Sequence, residues 1–286
     1  MSDFPEITPG GSLPLAWQLK DKTVVLVGGG VVAAGRLVNV LQADAYVTLI
    51  APSTHLNKEV RYRIYEDPLF SSRITYIDRL YAGPEDLVGA DMVLTAIDDN
   101  DASLAIWADA KAAKIPVNVA DVPPNCDFYF GSQIRRGPLQ IMVSTNGRGP
   151  KLAALIRQRL EEALPPNVEK AIDKVGMLRE KLRSRAPGVG GKLGRDRMKW
   201  MIDVCDTWEM EQLAELDDAG MQRLLDEGWE ASPKSVPAYE HIIGRRQPWW
   251  WPMHVPGLEW DASSAGWFAG GLALGSAVAL WRATRR

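Results

Sequence analysis

Lys22-Thr23-Val24-Val25-Leu26-Val27-Gly28-Gly29-Gly30-Val31-Val32-Ala33 joins a short aliphatic, β-branched run to three glycines and then to small and apolar residues at helical spacing. A strand, a Gly-x-Gly-x-x-Ala turn and an opening helix make the first βα unit of a dinucleotide-binding sheet. The fixed small residues serve a tight turn, close approach of backbone N–H groups to a pyrophosphate, and packing of helix on sheet. Gly28, Gly30, Val31, Val32 and Ala33 are therefore the expected cofactor-binding residues. The other reading is a glycine-rich turn in an unrelated α/β fold.

The pattern continues on the C-terminal side. Val47–Ile50, Ile74–Ile77, Met92–Ala96 and Val117–Val119 read as further buried strands, and residues 102–113 as a packed helix stopped by Pro116. Apolar runs alternating with helical stretches predict an α/β fold, a Rossmann-like doubly wound parallel sheet of about five strands. After Asp121 the alternation breaks. Phe128–Phe130 and Leu139–Val143 are expected as β-segments joined by a turn at Arg135-Arg136-Gly137, opening a small α+β region. Beyond Gly149, Leu152, Leu155, Ile156 and Leu160, and then Val168, Ile172, Val175, Leu178 and Leu182, keep the spacing of amphipathic helices. Residues 184–194 read as a mobile loop, 198–208 and 219–229 as helices, and 231–260 as irregular.

A carboxylate normally stands at the end of the second strand to bind the ribose 2′-hydroxyl, whereas sites for the phosphorylated dinucleotide place an arginine there. Here Ile50 is followed by Ala51-Pro52-Ser53-Thr54, which offers neither. Ser53 or Thr54 supplies a neutral hydrogen bond or is an ordinary turn residue, and the balance leans towards NAD. The fifth strand closes with Asn118-Val119-Ala120-Asp121. A carboxylate at a strand's C-terminal end faces the ligand crevice of an open sheet, so Asp121 either accepts a proton there or caps the turn into Val122-Pro123-Pro124. Asp127 is a weaker alternative base.

Composition narrows the classes. A formal net charge of −3 argues against a general nucleic-acid binder, which needs a basic surface. Cys126 and Cys205 show neither CxxC nor histidine-spaced partners, so no disulfide framework or structural zinc is expected, and the compartment is reducing. His55, His241 and His254 are scattered; no metal site is expected, and His241 is the one histidine with a weak claim on a cleft. The first residues lack the apolar core of a signal peptide, which predicts a cytoplasmic catalytic part.

The first turn, Asn118-Val119-Ala120-Asp121, Cys126-Asp127-Phe128-Tyr129-Phe130-Gly131 and Ile141-Met142-Val143-Ser144-Thr145-Asn146-Gly147-Arg148-Gly149-Pro150 follow one another as in the siroheme synthase family. The chain resembles its fungal type, which unites precorrin-2 dehydrogenase with sirohydrochlorin ferrochelatase and lacks a methyltransferase domain. The resemblance is close over residues 12–182 and loose beyond. It implies a homodimer with an NAD-binding domain at 1–121, a dimerisation region at 122–165 and a helical substrate-cleft domain at 166–248. It implies NAD as cofactor, a tetrapyrrole and Fe2+ as substrates, and Asp121 as the catalytic residue. Asn118, Ser144, Thr145 and Asn146 become substrate-binding candidates. Precorrin-2 carries eight carboxylates, and Arg135, Arg136, Arg148, Lys151, Arg157 and Arg159 follow the sheet, partly at a helix N-terminus that favours anions. Arg148 and Lys151 are the preferred pair, against a solvated basic helix face. Val31-Val32 departs from relatives that carry a charge there. The rival functions are a dehydrogenase without chelatase activity and a non-catalytic NAD-binding sensor.

Ser263–Trp281 contains no charged residue and follows a Trp- and Pro-rich linker at 249–262. Nineteen residues at about 1.5 Å rise span roughly 28 Å, close to a bilayer's hydrocarbon thickness. Trp267 and Trp281 near the ends, and Arg282, Arg285 and Arg286 beyond, suit a C-terminal transmembrane helix that anchors the protein to an intracellular membrane. A soluble apolar helix is the alternative.

Overall fold

The structure, a computed structural model, describes residues 9–244. Its first part runs β1 (Thr23–Val27), α1 (Val31–Leu41), β2 (Tyr46–Ile50), α2 (Lys58–Tyr65), β3 (Ile74–Ile77), β4 (Met92–Thr95), α3 (Asn100–Ala112) and β5 (Val117–Val119). All four strand pairings are parallel, in the order β3-β2-β1-β4-β5. The order reverses between β1 and β4, and at such a switch point a crevice opens at the C-terminal strand ends. Side-chain alternation sorts the core. Val24 and Leu26 join Leu37, Val40, Leu49 and Leu94 in one apolar cluster, while Val25 and Val27 join Val93, Ile106, Val117 and Val119 in another. Each fully buried aliphatic side chain contributes about 1.5–3 kcal/mol by leaving water.

The expected strands recur within a residue at each end. The α2 helix was not foreseen, although its signal is present: the Asn57 side chain accepts the Glu59 N–H at 2.8 Å as an N-cap. The hairpin differs from expectation. Its strands are β6 (Ser132–Arg136) and β7 (Leu139–Val143), in the register Arg136↔Leu139. Arg135 and Arg136 thus end β6, and the turn is Gly137-Pro138, with Gly137 at φ +53°. Phe128 and Phe130 are not strand residues. They pack as aromatics beside the first cluster, 5.9 Å apart, with Trp17 edge-on to Phe128 at 5.6 Å.

Helix α4 (Pro150–Ala163) follows, with Pro150 in its first turn, where a missing N–H costs nothing. The chain divides into two compact units, one ending at Ile172 and one beginning at Asp173. The stretches expected as separate, 1–121 and 122–165, lie within the first. The remaining helices are α5 (Val168–Arg185), α6 (Gly191–Thr207), α7 (Met210–Glu215), α8 (Asp218–Leu224) continued by a π-helical turn (Leu225–Trp229), and α9 (Tyr239–Ile243). The loop expected at 184–194 shrinks to the residues between α5 and α6, because Gly191 already begins α6 and the Arg197 guanidinium fastens the connection by donating to the Gly188 carbonyl at 2.7 Å. The second unit has its own core of Leu178, Leu182, Trp200, Val204, Leu216, Met221 and Leu224, and the indoles of Trp200 and Trp208 donate to the carbonyls of Ser235 and Pro237. Among the described residues no helix is long and apolar enough to cross a membrane. The expected linker at 249–262 and anchor at 263–281 lie outside the described residues.

Candidate active site at the C-terminal edge of the sheet

The β1–α1 turn is built from three glycines that meet different demands. Gly28 has φ +118°, and a Cβ there would lie 2.1 Å from the Ala96 carbonyl oxygen at the end of β4, so only glycine lets the two strand ends close up. At Gly29 a Cβ would meet Leu56 at 2.7 Å. Gly30 caps α1 with extended backbone, and a Cβ there would have no neighbour within 4 Å. The α1 N-terminus has no side-chain cap and no acidic residue in its first turn. Val31 is 77% and Val32 49% exposed, whereas Ala33 is fully buried against the sheet. Open space over uncapped N–H groups at the positive end of a helix fits a pyrophosphate. The residues therefore fit the dinucleotide expected for them.

Asp121 stands just beyond β5 with φ +60°, in the left-handed region that Asp and Asn tolerate best among residues with a Cβ. It is exposed and makes no hydrogen bond or ion pair among the described residues, and Ala120 before it is tied to the Thr95 carbonyl at 3.0 Å. The carboxylate is therefore held on the same edge as the glycine turn without being consumed by a structural role. Asp127 is consumed. It accepts from Lys111 Nζ at 2.8 Å and from the Val117 N–H at 3.0 Å. Burial pushes its carboxyl up, but these bonds and the lysine charge outweigh that and hold it below the usual carboxylate range. Asp127 latches β5 and is a poor base.

Asn118, expected as a substrate contact, is fastened to the protein. Its side chain is buried, its Oδ1 accepts from Arg36 and its Nδ2 donates to the Phe128 carbonyl at 2.6 Å. Both ends of the amide are spent on the protein. Arg36 was missed by sequence reasoning, because on α1 it sits among Ala33, Ala34 and Leu37 with no pattern to mark it. Its guanidinium lies 5.2 Å from the Phe130 ring centre. Burial pulls its pKa down, and the nearby Cys126 and Asp121 partly restore it. Arg36 thus positions the loop after Asp121 and sets a positive charge near it.

The Ser144–Gly149 loop leads into α4. Ser144 Oγ accepts the Asn146 N–H at 3.2 Å, and Thr145 Oγ1 accepts the Gly149 N–H at 3.1 Å. Asn146, at φ +51°, bonds Ser12 and the Gly10 carbonyl. These residues shape the loop, with Ser144 and Asn146 exposed on it. Arg148 and Lys151 are exposed and have no partner among the described residues. Arg135 and Arg136 instead donate to the carbonyls of Gln42 and Glu161, and Arg157 pairs with Glu161. Among the described residues the tertiary fold thereby leaves Arg148, Lys151 and Arg159 as the free cations of this stretch. His241 binds Glu227 at 2.5 Å in the second unit.

Three family models match in order: NAD(P)-binding over residues 15–132, sirohaem biosynthesis protein central over 136–163, and sirohaem biosynthesis protein C-terminal over 165–235. The siroheme biosynthesis protein met8 of Schizosaccharomyces pombe is 48% identical over 241 residues, which cover 84% of this chain and 87% of that one. The chain belongs to the siroheme biosynthesis protein family.

Among bacterial relatives, a siroheme synthase of Psychrobacter sp. is 33% identical over 63% of this chain, which spans 36% of that protein's length. A solved structure titled SirC, precorrin-2 dehydrogenase, aligns over 76% of this chain and 98% of its own with a TM-score of 0.56 at 20% identity, a likeness of fold. The family resemblance read from the four motifs is thus confirmed over both units. One further residue of this sheet edge went unread: Asp78 follows β3 and accepts the Ser53 N–H at 2.6 Å. Ser53, expected either to offer the cofactor a neutral hydrogen bond or to be an ordinary turn residue, is thus bonded to the neighbouring strand end. The clue available in the sequence was an acidic residue directly after the third strand.

Proposed function

We propose that this protein oxidises precorrin-2 to sirohydrochlorin with NAD as acceptor and then helps to insert ferrous iron, giving siroheme. The observation that carries the reading is the unspent Asp121 carboxylate on the sheet edge that also bears the open α1 turn, in a chain of the siroheme biosynthesis family. A dinucleotide bound on Gly28, Gly30 and the first N–H groups of α1 supplies the hydride acceptor. Asp121 takes up the proton that leaves the macrocycle in the same oxidation. Arg148 and Lys151, at the α4 N-terminus, bind its carboxylates, with Ser144, Thr145 and Asn146 forming the loop that presents them. In the second reaction the ring nitrogens are the ligands of the iron, so the chain need only hold the macrocycle and receive the displaced N–H protons.

A homodimer is supported by the outer face of α4, where Leu152 is 57% and Leu155 46% exposed beside Ile156, Leu160 and the β7 residue Met142. Leu155→Glu is expected to shift the mass in light scattering towards the monomer. The uncharged stretch 263–281 supports a tail anchor; full-length protein released by alkaline carbonate would remove that part of the reading.

The test is anaerobic incubation of purified protein with precorrin-2 and NAD, followed by Fe2+, with absorption spectra at each stage. The macrocycle spectrum should shift with NAD and shift again with iron. No change with NAD overturns the enzyme reading and favours a sensor. Arrest at sirohydrochlorin in the presence of iron leaves a dehydrogenase alone.

A further inference from the structure

The Rossmann carboxylate that recognises an adenosine ribose stands at the end of β2, and here that place is taken by Ala51-Pro52-Ser53. The neighbouring strand supplies one. Ile50 pairs with Ile77 at the last rung of the β2–β3 ladder, so Asp78 begins one strand spacing, about 4.8 Å, from the missing position. Its side chain turns towards β2, since Oδ1 accepts the Ser53 N–H at 2.6 Å. The same carboxylate also meets the Ser53 and Tyr76 hydroxyls, and these bonds, those of Ser53 foremost, keep it below the usual carboxylate range, ionised at neutral pH. It is exposed and has no ion-pair partner among the described residues, because Arg79 beside it is engaged by Asp86.

We propose that Asp78, at the end of β3, is the residue that selects NAD over NADP. Resting on the proposed cofactor site, the assignment gives that site its specificity. With about four acceptor sites, the carboxylate can still accept a hydrogen bond from a ribose hydroxyl after serving Ser53 and Tyr76. A 2′-phosphate at the same place brings like charge against like charge and loses the donor. The rim also contains the cation that such a phosphate would use: Arg61 of α2 donates to the Ser53 carbonyl at 3.0 Å. Ser53 is therefore bonded by a carboxylate on its N–H and by an arginine on its carbonyl. Cofactor choice depends on which of the two charges prevails, and neutralising Asp78 leaves Arg61 unopposed.

The test is titration of the full chain with NAD+ and with NADP+, in the absence of tetrapyrrole, read by calorimetry. Wild type should bind NAD+ the more tightly. Asp78→Asn keeps an oxygen for the Ser53 N–H while removing the charge, so the ratio of NAD+ to NADP+ affinity should fall about tenfold, as expected for a charged hydrogen bond exchanged for a neutral one. Adding Arg61→Ala should abolish the NADP+ gain, and Asp78→Glu should keep the wild-type ratio and serve if the asparagine variant fails to fold. An unchanged ratio in Asp78→Asn, or a ratio collapsed equally by Asp78→Glu, overturns the assignment while the cofactor site stands. Failure of wild type to bind either dinucleotide overturns the cofactor site and this assignment with it.

Discussion

Replacing Asp121 separates chemistry from folding because of where its backbone lies. Among the described residues the carboxylate has no hydrogen-bond or ion-pair partner to lose, only the more distant charge of Arg36, so the effect of Asp121→Asn on stability should stay within about 0.5 kcal/mol. The φ of +60° matters for the choice of variant. Asparagine shares aspartate's tolerance of the left-handed region, whereas alanine pays about 1–2 kcal/mol there, a fall in Tm of roughly 2–8 °C that would confuse an activity loss with a folding loss. The rate tells a different story. A group that takes a proton in the transition state contributes about 10²- to 10⁴-fold, or about 2.7–5.4 kcal/mol of barrier at 1.36 kcal/mol per decade. Asp121→Asn should therefore lose that factor in kcat for precorrin-2 oxidation at saturating NAD while keeping its Tm and its NAD affinity. Turnover within a few-fold of wild type would refute the assignment. An equal loss of NAD affinity would recast Asp121 as a cofactor contact.

Gly30→Val should cost little stability, since its Cβ meets nothing within 4 Å and only the poorer N-cap counts against it, yet weaken NAD binding in a calorimetric titration; Gly28→Ala should destabilise the fold more, because its Cβ would fall 2.1 Å from the Ala96 oxygen. Arg148→Ala and Lys151→Ala should each raise KM for the tetrapyrrole about tenfold with kcat little changed, and the effect should shrink at high salt; unchanged KM in the double variant would return both to a solvated helix face. Asp67 is buried with Arg63 at 2.6 Å and the Leu69 N–H at 2.9 Å, and the Arg63 bond holds its carboxyl below the usual range. A depressed carboxylate adds stability above its unfolded pKa of about 3.9, and that stability is lost as pH falls through the lower folded value. Urea midpoints followed from pH 6 to pH 2.5 should therefore fall less steeply for Asp67→Asn than for wild type; parallel curves would discount the pair.

The sheet was legible because its signals are local. Each buried parallel strand is a short apolar run, and Gly28-Gly29-Gly30 with Ala33 mark the first turn through backbone and packing demands that no distant contact alters. The place of Asp121 was legible for the same reason, since it stands two residues beyond the end of β5. The hairpin was misread where two arginines looked like turn residues, although their register with Gln140 and Leu139 keeps both in β6. The tertiary structure alone determined how identical side chains are used. Six basic residues after the sheet look alike in sequence, but nearby carbonyls and Glu161 engage Arg135, Arg136 and Arg157, leaving Arg148, Lys151 and Arg159 free. Asn118 turned inward because the alternation of β5 points it towards Arg36 of α1, eighty-two positions away, and Asp78 reached Ser53 across a strand pairing. Such contacts join residues distant along the chain, so spacing carries no trace of them; only the packing of α1 on the sheet and the register of β2 with β3 bring the partners within hydrogen-bond reach.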